Sequence, residues 1–588
     1  MKYFLEIKLS AMSDFIDKNL LQQVFNSNEF KAWLLSKRWF GDKSSLSNLM
    51  FKVNINYFQV ISSQIYLIVI QIDTNDYSKE YFLPLIRYEK LFDILELKER
   101  NRDIVTNLSE NSFSKIIALD MVENIQDQVF SLNLVEAEYC VLFWKKLLFD
   151  KKISEKFPSM KLELSLYDEQ FEDDHYLVKA RNFIEAGLYP DKFDLSLEKL
   201  GGGNTANILN LLKIYKKGST EVESSYVLKS YKEFSERIEP YTLYVLVKNK
   251  FPNSPKIYGM LKILGKEAIG ILENVPNVGN LGDIYWSEVN KMINELFKNV
   301  NDDYTYLSKK EEIVEKIKLY CIESLKVSEE IGIQIKNLHK ALRLEGDDRY
   351  FKEKVNSKEY LAKYSSNLED MVKHIQNNIE KSTSKTFYNS PKISSILLDI
   401  KDIIEILKSE FDFEQINIQP VHQDLHMQQI LYNKKNDHYD YYFIDFEGDP
   451  QLSIEEKKRR YPIEKDLGSF LRSLSYIKFQ TLLNYIEHKI IKKDKFEVPE
   501  EVLFTTFFRK SAKITQSQKL LQIVFNLLNI WEEKMMSKIF SENLKLQFTL
   551  INYYSIERAL HELEYELLFR PNKVIIPILG LKEIIHKG

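Results

Sequence analysis

The sequence predicts an α+β fold with a strand-rich first half and a mostly helical second half, divided near residue 276. Three observations carry this. Between Leu195 and Leu272, short runs alternating in hydrophobicity are separated by turn residues, with Gly201, Gly202 and Gly203 at the first turn. From Pro276 onward, apolar residues recur at three- and four-residue spacing, as over Ile313–Leu342 and Leu520–Met536. Only two short strand signals, Gln429–Tyr432 and Tyr441–Phe446, interrupt that helical text, and a polar loop leads into the first of them.

Taken in order, Val53–Val60 and Ile65–Ile72 read as a hairpin, being rich in β-branched and aromatic residues on either side of a serine turn. Tyr81–Ile86 adds a strand. Residues 1 to about 195 form an accessory region in two pieces. Leu195–Leu200 then alternates as a strand and runs into the three glycines and Asn204-Thr205. Tyr226–Tyr231 is a second strand, a helix stops at Phe251-Pro252, and Ile269–Leu272 is a further strand. The expected division is 1–100, a cap subdomain; 101–275, an intermediate subdomain and a small nucleotide-holding lobe; and 276–588, a helical lobe. The Lys- and Asn-containing stretch from Gly346 to Ser390 reads as a mobile or inserted segment, and Lys457–Arg460 as a solvated helix face.

With 588 residues, 44% hydrophobic and 29% charged, the chain can bury a large core in several domains or subdomains. A net charge of -4 gives no electrostatic reason to bind nucleic acid or an anionic membrane. Two cysteines build no disulfide framework and suit a reducing, cytoplasmic compartment. Neither a signal peptide nor a transmembrane run is expected.

The chemistry concentrates in Val421-His422-Gln423-Asp424-Leu425-His426-Met427-Gln428-Gln429 and Tyr442-Phe443-Ile444-Asp445-Phe446-Glu447-Gly448. A polar loop holds a carboxylate, an amide follows five residues later, and a strand delivers a second carboxylate. Phosphoryl transfer needs this set: one carboxylate to orient the attacking hydroxyl and accept its proton, and hard oxygen ligands to hold Mg²⁺ against ATP phosphates. Asp424 fits the first role; Gln429 and Asp445 fit the second. Lys229, on the Tyr226–Tyr231 strand, could reach the α- and β-phosphates. Gly202 and Gly203 would let backbone N–H groups approach phosphate, although three glycines also make an ordinary hairpin turn.

These residues resemble the maltokinase family, within the aminoglycoside phosphotransferase-like superfamily. The likeness runs through Lys37-Arg38-Trp39-Phe40-Gly41-Asp42-Lys43, Asn204-Thr205, Leu272-Glu273-Asn274-Val275-Pro276-Asn277, Leu338-His339-Lys340-Ala341-Leu342, His422 to Arg472, and Glu557 to Glu566 with Arg570-Pro571. The 45–195 region is nearly silent. The resemblance implies a bilobal, protein-kinase-like fold with an N-terminal cap subdomain. It implies transfer of the ATP γ-phosphate to the anomeric hydroxyl of maltose. It assigns Asp424 as base, Gln429 and Asp445 as Mg²⁺ ligands, and Lys229, Gly202, Gly203, Asn204, Thr205, Glu273 and Val275 to the nucleotide. His426, Glu447, Arg558, His561 and Tyr565 are assigned to the acceptor. Arg558 and His561 stand where the family has Lys and Tyr, which alters both reach and donor geometry. The glutamate that pairs with Lys229 is Glu239 or Glu236, because the family position falls at Tyr241. Other readings are a kinase of another sugar or amino sugar such as glucosamine, and a catalytically dead partner of a trehalose- or glycogen-pathway enzyme. Association with trehalose synthase or a similar enzyme is an accompanying expectation.

Overall fold

The computed structural model describes residues 18–37, 39–41, 46, 51–74, 78–88, 119–125, 128–150, 156–164, 193–200, 206–299, 302–344, 351, 357–381, 391–413, 416–436, 438–490, 499–507, 515–540, 546 and 548–587. The chain divides into two compact units: Met1–Pro240 with Pro255–Val275, and Tyr241–Ser254 with Pro276–Gly588.

The first unit opens with helices α1 (Lys18–Asn26) and α2 (Asn28–Ser36), the second capped by the Ser27 hydroxyl, which accepts from Phe30 N–H at 3.2 Å. Six strands follow: β1 (Lys52–Val60), β2 (Ile65–Asp73), β3 (Ser78–Phe82), β4 (Leu85–Tyr88), β5 (Leu119–Ile125) and β6 (Gln128–Glu136). They form an antiparallel sheet in the order β1-β2-β4-β6-β5, with β3 also paired to β2. The expected Val53–Ile72 hairpin is β1–β2. The single strand expected over Tyr81–Ile86 is two strands, broken at Leu83-Pro84 because proline cannot continue the ladder. Because β4 pairs with β6, a boundary at residue 100 falls inside this sheet.

Strand β2 is buried on both faces, and its alternation sorts its side chains. Ile65, Leu67 and Val69 pack with helix α3 (Val141–Phe149), while Tyr66, Ile68, Ile70 and Ile72 pack with α1 and α2. A second antiparallel sheet comprises β7 (Met160–Leu164), β8 (Phe193–Lys199), β9 (Ile208–Lys216), β10 (Val222–Ser230), β11 (Ile257–Ile263) and β12 (Lys266–Glu273), in the order β7-β11-β12-β10-β9-β8. Helix α4 (Glu239–Lys248) begins at the end of the first unit.

In the second unit, β13 (Gly279–Asn280) leads into α5 (Leu281–Leu296), where Asn280 and Asp283 cap each other. The helix expected over Ile313–Leu342 is two, α6 (Lys310–Tyr320) and α7 (Ile322–Leu342), broken at Cys321. The break is stabilised from outside: the Glu288 carboxylate on α5 accepts from the N–H groups of Glu323 and Ser324 and from the Ser324 hydroxyl. Much of the segment expected to be mobile is a 25-residue helix, α8 (Ser357–Lys381), followed by α9 (Pro391–Ser409).

Strand β14 (Ile418–Gln419), the hairpin β15 (Ile430–Lys435) and β16 (His438–Phe443), the short helix α10 (Ile454–Lys457) and β17 (Tyr461–Pro462) come next. The Lys457–Arg460 run is not a helix face: α10 ends within it and Arg460 is buried. Helices α11 (Glu464–Tyr485), α12 (Pro499–Phe507), α13 (Gln516–Ile539), α14 (Phe548–Phe569) and α15 (Ile575–Lys587) complete the unit. At Gly468, α11 and α14 meet closely; an added Cβ would lie 2.8 Å from Tyr554 Cβ and 3.0 Å from Ile551 O. No helix among the described residues is long and apolar enough to cross a membrane.

Candidate active site

The loop carrying Asp424 is organised by a carboxylate from elsewhere. Asp466, fully buried in the first turn of α11, accepts from His422 N–H at 2.9 Å and Gln423 N–H at 2.7 Å, and lies 2.9 Å from His339 Nε2. Burial alone would raise the Asp466 carboxyl. The hydrogen bond and charge of His339, aided by His422, hold it below the ordinary value. These bonds sustain Gln423 in the left-handed region, at φ 73°, which is unfavourable for a side chain of its size. Gln423 Nε2 donates to Lys457 O at 2.7 Å, and His422 Nε2 donates to Ile444 O at 2.9 Å. Asp424, 8% exposed, is thereby held in a doubly braced loop.

The β15–β16 hairpin pairs Ile430 with Phe443, and Ile444 N–H donates to Gln429 O at 2.9 Å. This return brings Gln429 Nε2 to 3.1 Å from Asp445 Oδ2. Gln429 lies in a 3-10 turn rather than on the expected strand, and Asp445 lies two residues beyond β16. Asp445 has φ 65° and Gly448 φ 76°; aspartate is among the few non-glycine residues that tolerate that region. Half-buried Glu447 has a carboxylate oxygen within 4.8 Å of one of Asp445. An amide at the start of the β15–β16 hairpin and two carboxylates just beyond its end match the oxygen donor types that Mg²⁺ takes.

Helix α14 turns Arg558 and His561 toward buried acids. Arg558 Nη1 donates to Asp424 Oδ1 at 2.5 Å. On the other side of that carboxylate, His426 Nε2 lies 3.7 Å from Oδ2. Burial lowers the His426 pKa to about 4; the charges of Arg558 and His422 push the same way, against that of Asp424. His561 Nδ1 lies 3.7 Å from Asp449 Oδ2. Burial would raise Asp449, but His561, Lys465 and the Gln451 N–H bring it to about 2. Asp449, Glu557 and His561 are close enough to hold a cation. The Lys465 ammonium already occupies that role, 2.8 Å from Glu557 and 3.5 Å from Asp449. Tyr565 lies beneath Arg570, whose guanidinium is 5.0 Å from its ring.

In the first unit, Lys229 near the end of β10 lies 2.7 Å from Glu239 Oε2, both buried. Glu239 rather than Glu236 is therefore the lysine's glutamate. Tyr231 hydroxyl donates to the same oxygen at 2.8 Å. Gly270, paired with Lys229 across the sheet, makes room for it: a Cβ there would lie 3.1 Å from the Tyr231 hydroxyl. At the end of β12, Glu273 N–H donates to Lys256 O at 2.8 Å, and the Glu273 carboxylate accepts from Lys256 N–H at 3.1 Å. Val275 is buried. Gly202, Gly203, Asn204 and Thr205 lie outside the described residues, as do Arg38, Asp42 and Lys43.

No family model matches the sequence. Among solved structures, a glucosamine kinase in its crystal form A aligns over 91% of this chain and 93% of its own, with a TM-score of 0.52 and 11% identity. The fold is similar to that of this kinase. A glucosamine kinase in complex with glucosamine, ADP and inorganic phosphate aligns over 90% and 93%, at TM-score 0.45 and 11% identity. A Plasmodium vivax ethanolamine kinase aligns over 74% and 92%, at TM-score 0.30 and 13% identity.

Sequence reading left Asp466, His339, Asp449 and Lys465 without roles, although all four lie in or beside the motifs. The available signal was apolar context: Asp466 and Lys465 stand in a helix whose neighbours on every side are buried, where an unpaired charge would be costly.

Proposed function

We propose that this protein is an ATP-dependent kinase acting on a hydroxyl of a sugar or amino sugar. The observation that carries the reading is the joining of Gln429 and Asp445 by the β15–β16 return, at the end of the loop that holds Asp424. Asp424 orients the acceptor hydroxyl and takes its proton, and Arg558 fixes the rotamer of that carboxylate. Gln429 and Asp445 supply hard oxygens for Mg²⁺, which when bound offsets phosphate charge; Glu447, expected at the acceptor, is near enough to Asp445 to add another. Lys229, held by Glu239, contacts the phosphates of ATP. Glu273 and Val275 flank the adenine, and Gly202 to Thr205 keep their sequence-based assignment to the phosphates. His426, His561 and Tyr565 complete the acceptor contacts. In this reading the first sheet, through β6, belongs to the cap expected over 1–100, the second sheet serves the nucleotide, and 276–588 serves the acceptor and the metal.

Two acceptors stand out. Maltose, phosphorylated at its anomeric hydroxyl, is favoured by the Asp445-Phe446-Glu447-Gly448-Asp449-Pro450 and Glu557–Glu566 motifs. Glucosamine is favoured by the fold's similarity to glucosamine kinase. A screen of ATP consumption over maltose, glucosamine and other sugars, with and without Mg²⁺, separates them. Acceptor-dependent ADP release that disappears with chelator is expected. ATP turnover with no sugar in the screen, or full turnover in excess chelator, overturns the reading.

A further inference from the structure

The first unit contains a buried charge network that neither the nucleotide nor the acceptor reading uses. Glu136 ends β6, and Glu138 follows in the next turn. Lys37 Nζ and Trp39 Nε1 each donate to Glu136 at 2.7 Å. Lys232 Nζ at 2.7 Å and the Ser230 hydroxyl at 3.0 Å donate to one oxygen, Glu138 Oε1. Lys232 also lies 4.6 Å from the Trp39 ring, which joins the two halves. Glu138 and Lys232 are entirely buried, and Lys37 and Glu136 nearly so. The backbone is tied in as well: Glu138 O accepts from Trp144 Nε1 at 2.8 Å and from Asn210 Nδ2 at 3.1 Å, and Phe82 N–H donates to Lys232 O at 2.8 Å.

Buried ion pairs are a poor route to stability, since well-packed apolar groups do as well, and their best-attested use is to fix one arrangement. What this network fixes is the end of β10. Successive side chains of a strand point to opposite faces. Lys229 goes to one face and meets Glu239; Ser230 goes to the other and meets Glu138. The strand end is clamped from both sides, and Lys232, three residues beyond Lys229, closes the second clamp.

We propose that Glu138 and Lys232 are positioning residues for Lys229, so that the N-terminal segment bearing Lys37 and Trp39 sets the aim of the phosphate-contacting lysine. The proposal rests on the reading of Lys229 as an ATP contact. It separates from that reading because the clamp can be tested without nucleotide.

The variant to make is Glu138→Gln with Lys232→Met, which removes both charges together and leaves no buried ion unpaired. Titration with MgATP is expected to show affinity about tenfold weaker, the size of one charge-assisted hydrogen bond. In a Lys229→Met background the same pair of changes should alter MgATP affinity by less than about twofold, because its effect passes through Lys229. An equal loss in both backgrounds, or a folded double variant with unchanged affinity, overturns the proposal. Ser230→Ala removes one arm of the clamp without burying a charge and covers the case in which the double variant fails to fold; it should weaken MgATP binding in the wild-type background only. Reductive methylation of Lys229, followed by mass spectrometry, reads the clamp without ATP. Labelling should quicken severalfold in the double variant, or in Ser230→Ala if the double variant does not fold; an unchanged rate in the folded variant overturns the clamp. Absence of MgATP binding by the wild-type protein, with quickened labelling, would instead sink the nucleotide reading and leave the clamp standing.

Discussion

Lys37 reaches Glu136 across 99 residues and Lys232 reaches Glu138 across 94, so the charged groups of the first unit meet only because two sheets and a helix bring them together. In the second unit, Gln429 and Asp445 are 16 residues apart, joined by one hairpin, and Asp424 stands in the loop just before it. The first arrangement hangs on two strand ends, Glu136 of β6 and Ser230 of β10, with Lys37, Trp39, Glu138 and Lys232 in the turns beside them. The second hangs on a loop and a turn with Gln423 and Asp445 in left-handed conformations, and it needs Asp466 and Arg558 to hold it. The proposed reacting groups are thus local in sequence and conformationally costly, while the groups that aim Lys229 are distant in sequence and anchored beside two strand ends. Strain at the loop suits a site that must present a carboxylate; strain in the sheet would only weaken it.

The strongest way to break that contrast is Asp424→Asn. Asparagine keeps an oxygen for Arg558 but not its counter-charge, so the melting temperature should fall somewhat while the fold and MgATP affinity hold. Turnover should fall by about 10²–10⁴, the usual worth of a general base. Steady-state kcat from ADP release reads this, and near-normal turnover would remove Asp424 from the chemistry. Lys229→Met should behave oppositely, weakening MgATP binding more than it lowers the rate of bound enzyme.

The glycines sharpen the comparison on the side of stability. At Gly468 an added Cβ meets Tyr554 Cβ at 2.8 Å and backbone at 3.0 Å, so α11 and α14 must part. Gly468→Ala should cost about 1–3 kcal/mol, as overpacking does, read as a lower urea midpoint at unchanged slope. At Gly270 the first obstacle is the Tyr231 hydroxyl at 3.1 Å, the end of a side chain that can swing. Gly270→Ala should cost less stability, and it should be felt in MgATP affinity because Tyr231 shares Glu239 with Lys229. Equal losses at both sites would show that the sheet is no more forgiving than the helical layer.

Sequence reading found what was periodic or contiguous. The β1–β2 hairpin is two β-branched and aromatic runs on either side of a serine turn, and the text from Val421 to Gly448 carries its groups in one run. The break at Cys321 was hidden because apolar spacing continues through it and the capping carboxylate, Glu288, comes from another helix. Helix α8 was masked by its Lys and Asn content, although Leu368, Val372, Ile375 and Ile379 are buried at helical spacing. Glu136 and Glu138 were illegible: nothing near them in sequence indicates that they are buried, and their partners at 37, 39, 230 and 232 come together only in the folded unit. The pairing of Lys229 was open between two glutamates because β10 and the start of α4 are joined by an irregular segment whose reach the sequence does not fix.

A smaller effect concerns the acceptor. Arg558→Lys with His561→Tyr restores the residues of the maltokinase motif. If those positions tune the pocket, the ratio of kcat/KM for maltose over the native acceptor should rise about tenfold, the worth of one hydrogen bond to a charged group. The pair also tests the second unit's brace, since a lysine cannot reproduce the guanidinium's planar fork on Asp424. An unchanged ratio alongside poor use of maltose would move the pocket away from α14.

The remaining effect is a pH dependence that belongs to the second unit. His426 is neutral in the fold down to about pH 4, because burial and the neighbouring charges of Arg558 and His422 oppose its proton. In the unfolded chain it takes that proton near its ordinary value of 6.5. Between those limits the unfolded state binds more protons, so stability must fall as pH falls from 6.5 towards 4, and the contribution of this group is constant above and below that window. Asp449 and Asp466, both held below the ordinary carboxylate value, act only at lower pH, where protonation removes the stability that their partners supply. His426→Gln should therefore flatten the upper part of the acid limb and leave the lower part intact. Urea midpoints for the wild type and the variant should run in parallel above about pH 6.5, draw together or cross as pH falls, and run in parallel again near pH 4. A constant gap between them across the whole range would mean that His426 titrates normally beside Asp424, and that the loop is more open to water than its two braces imply.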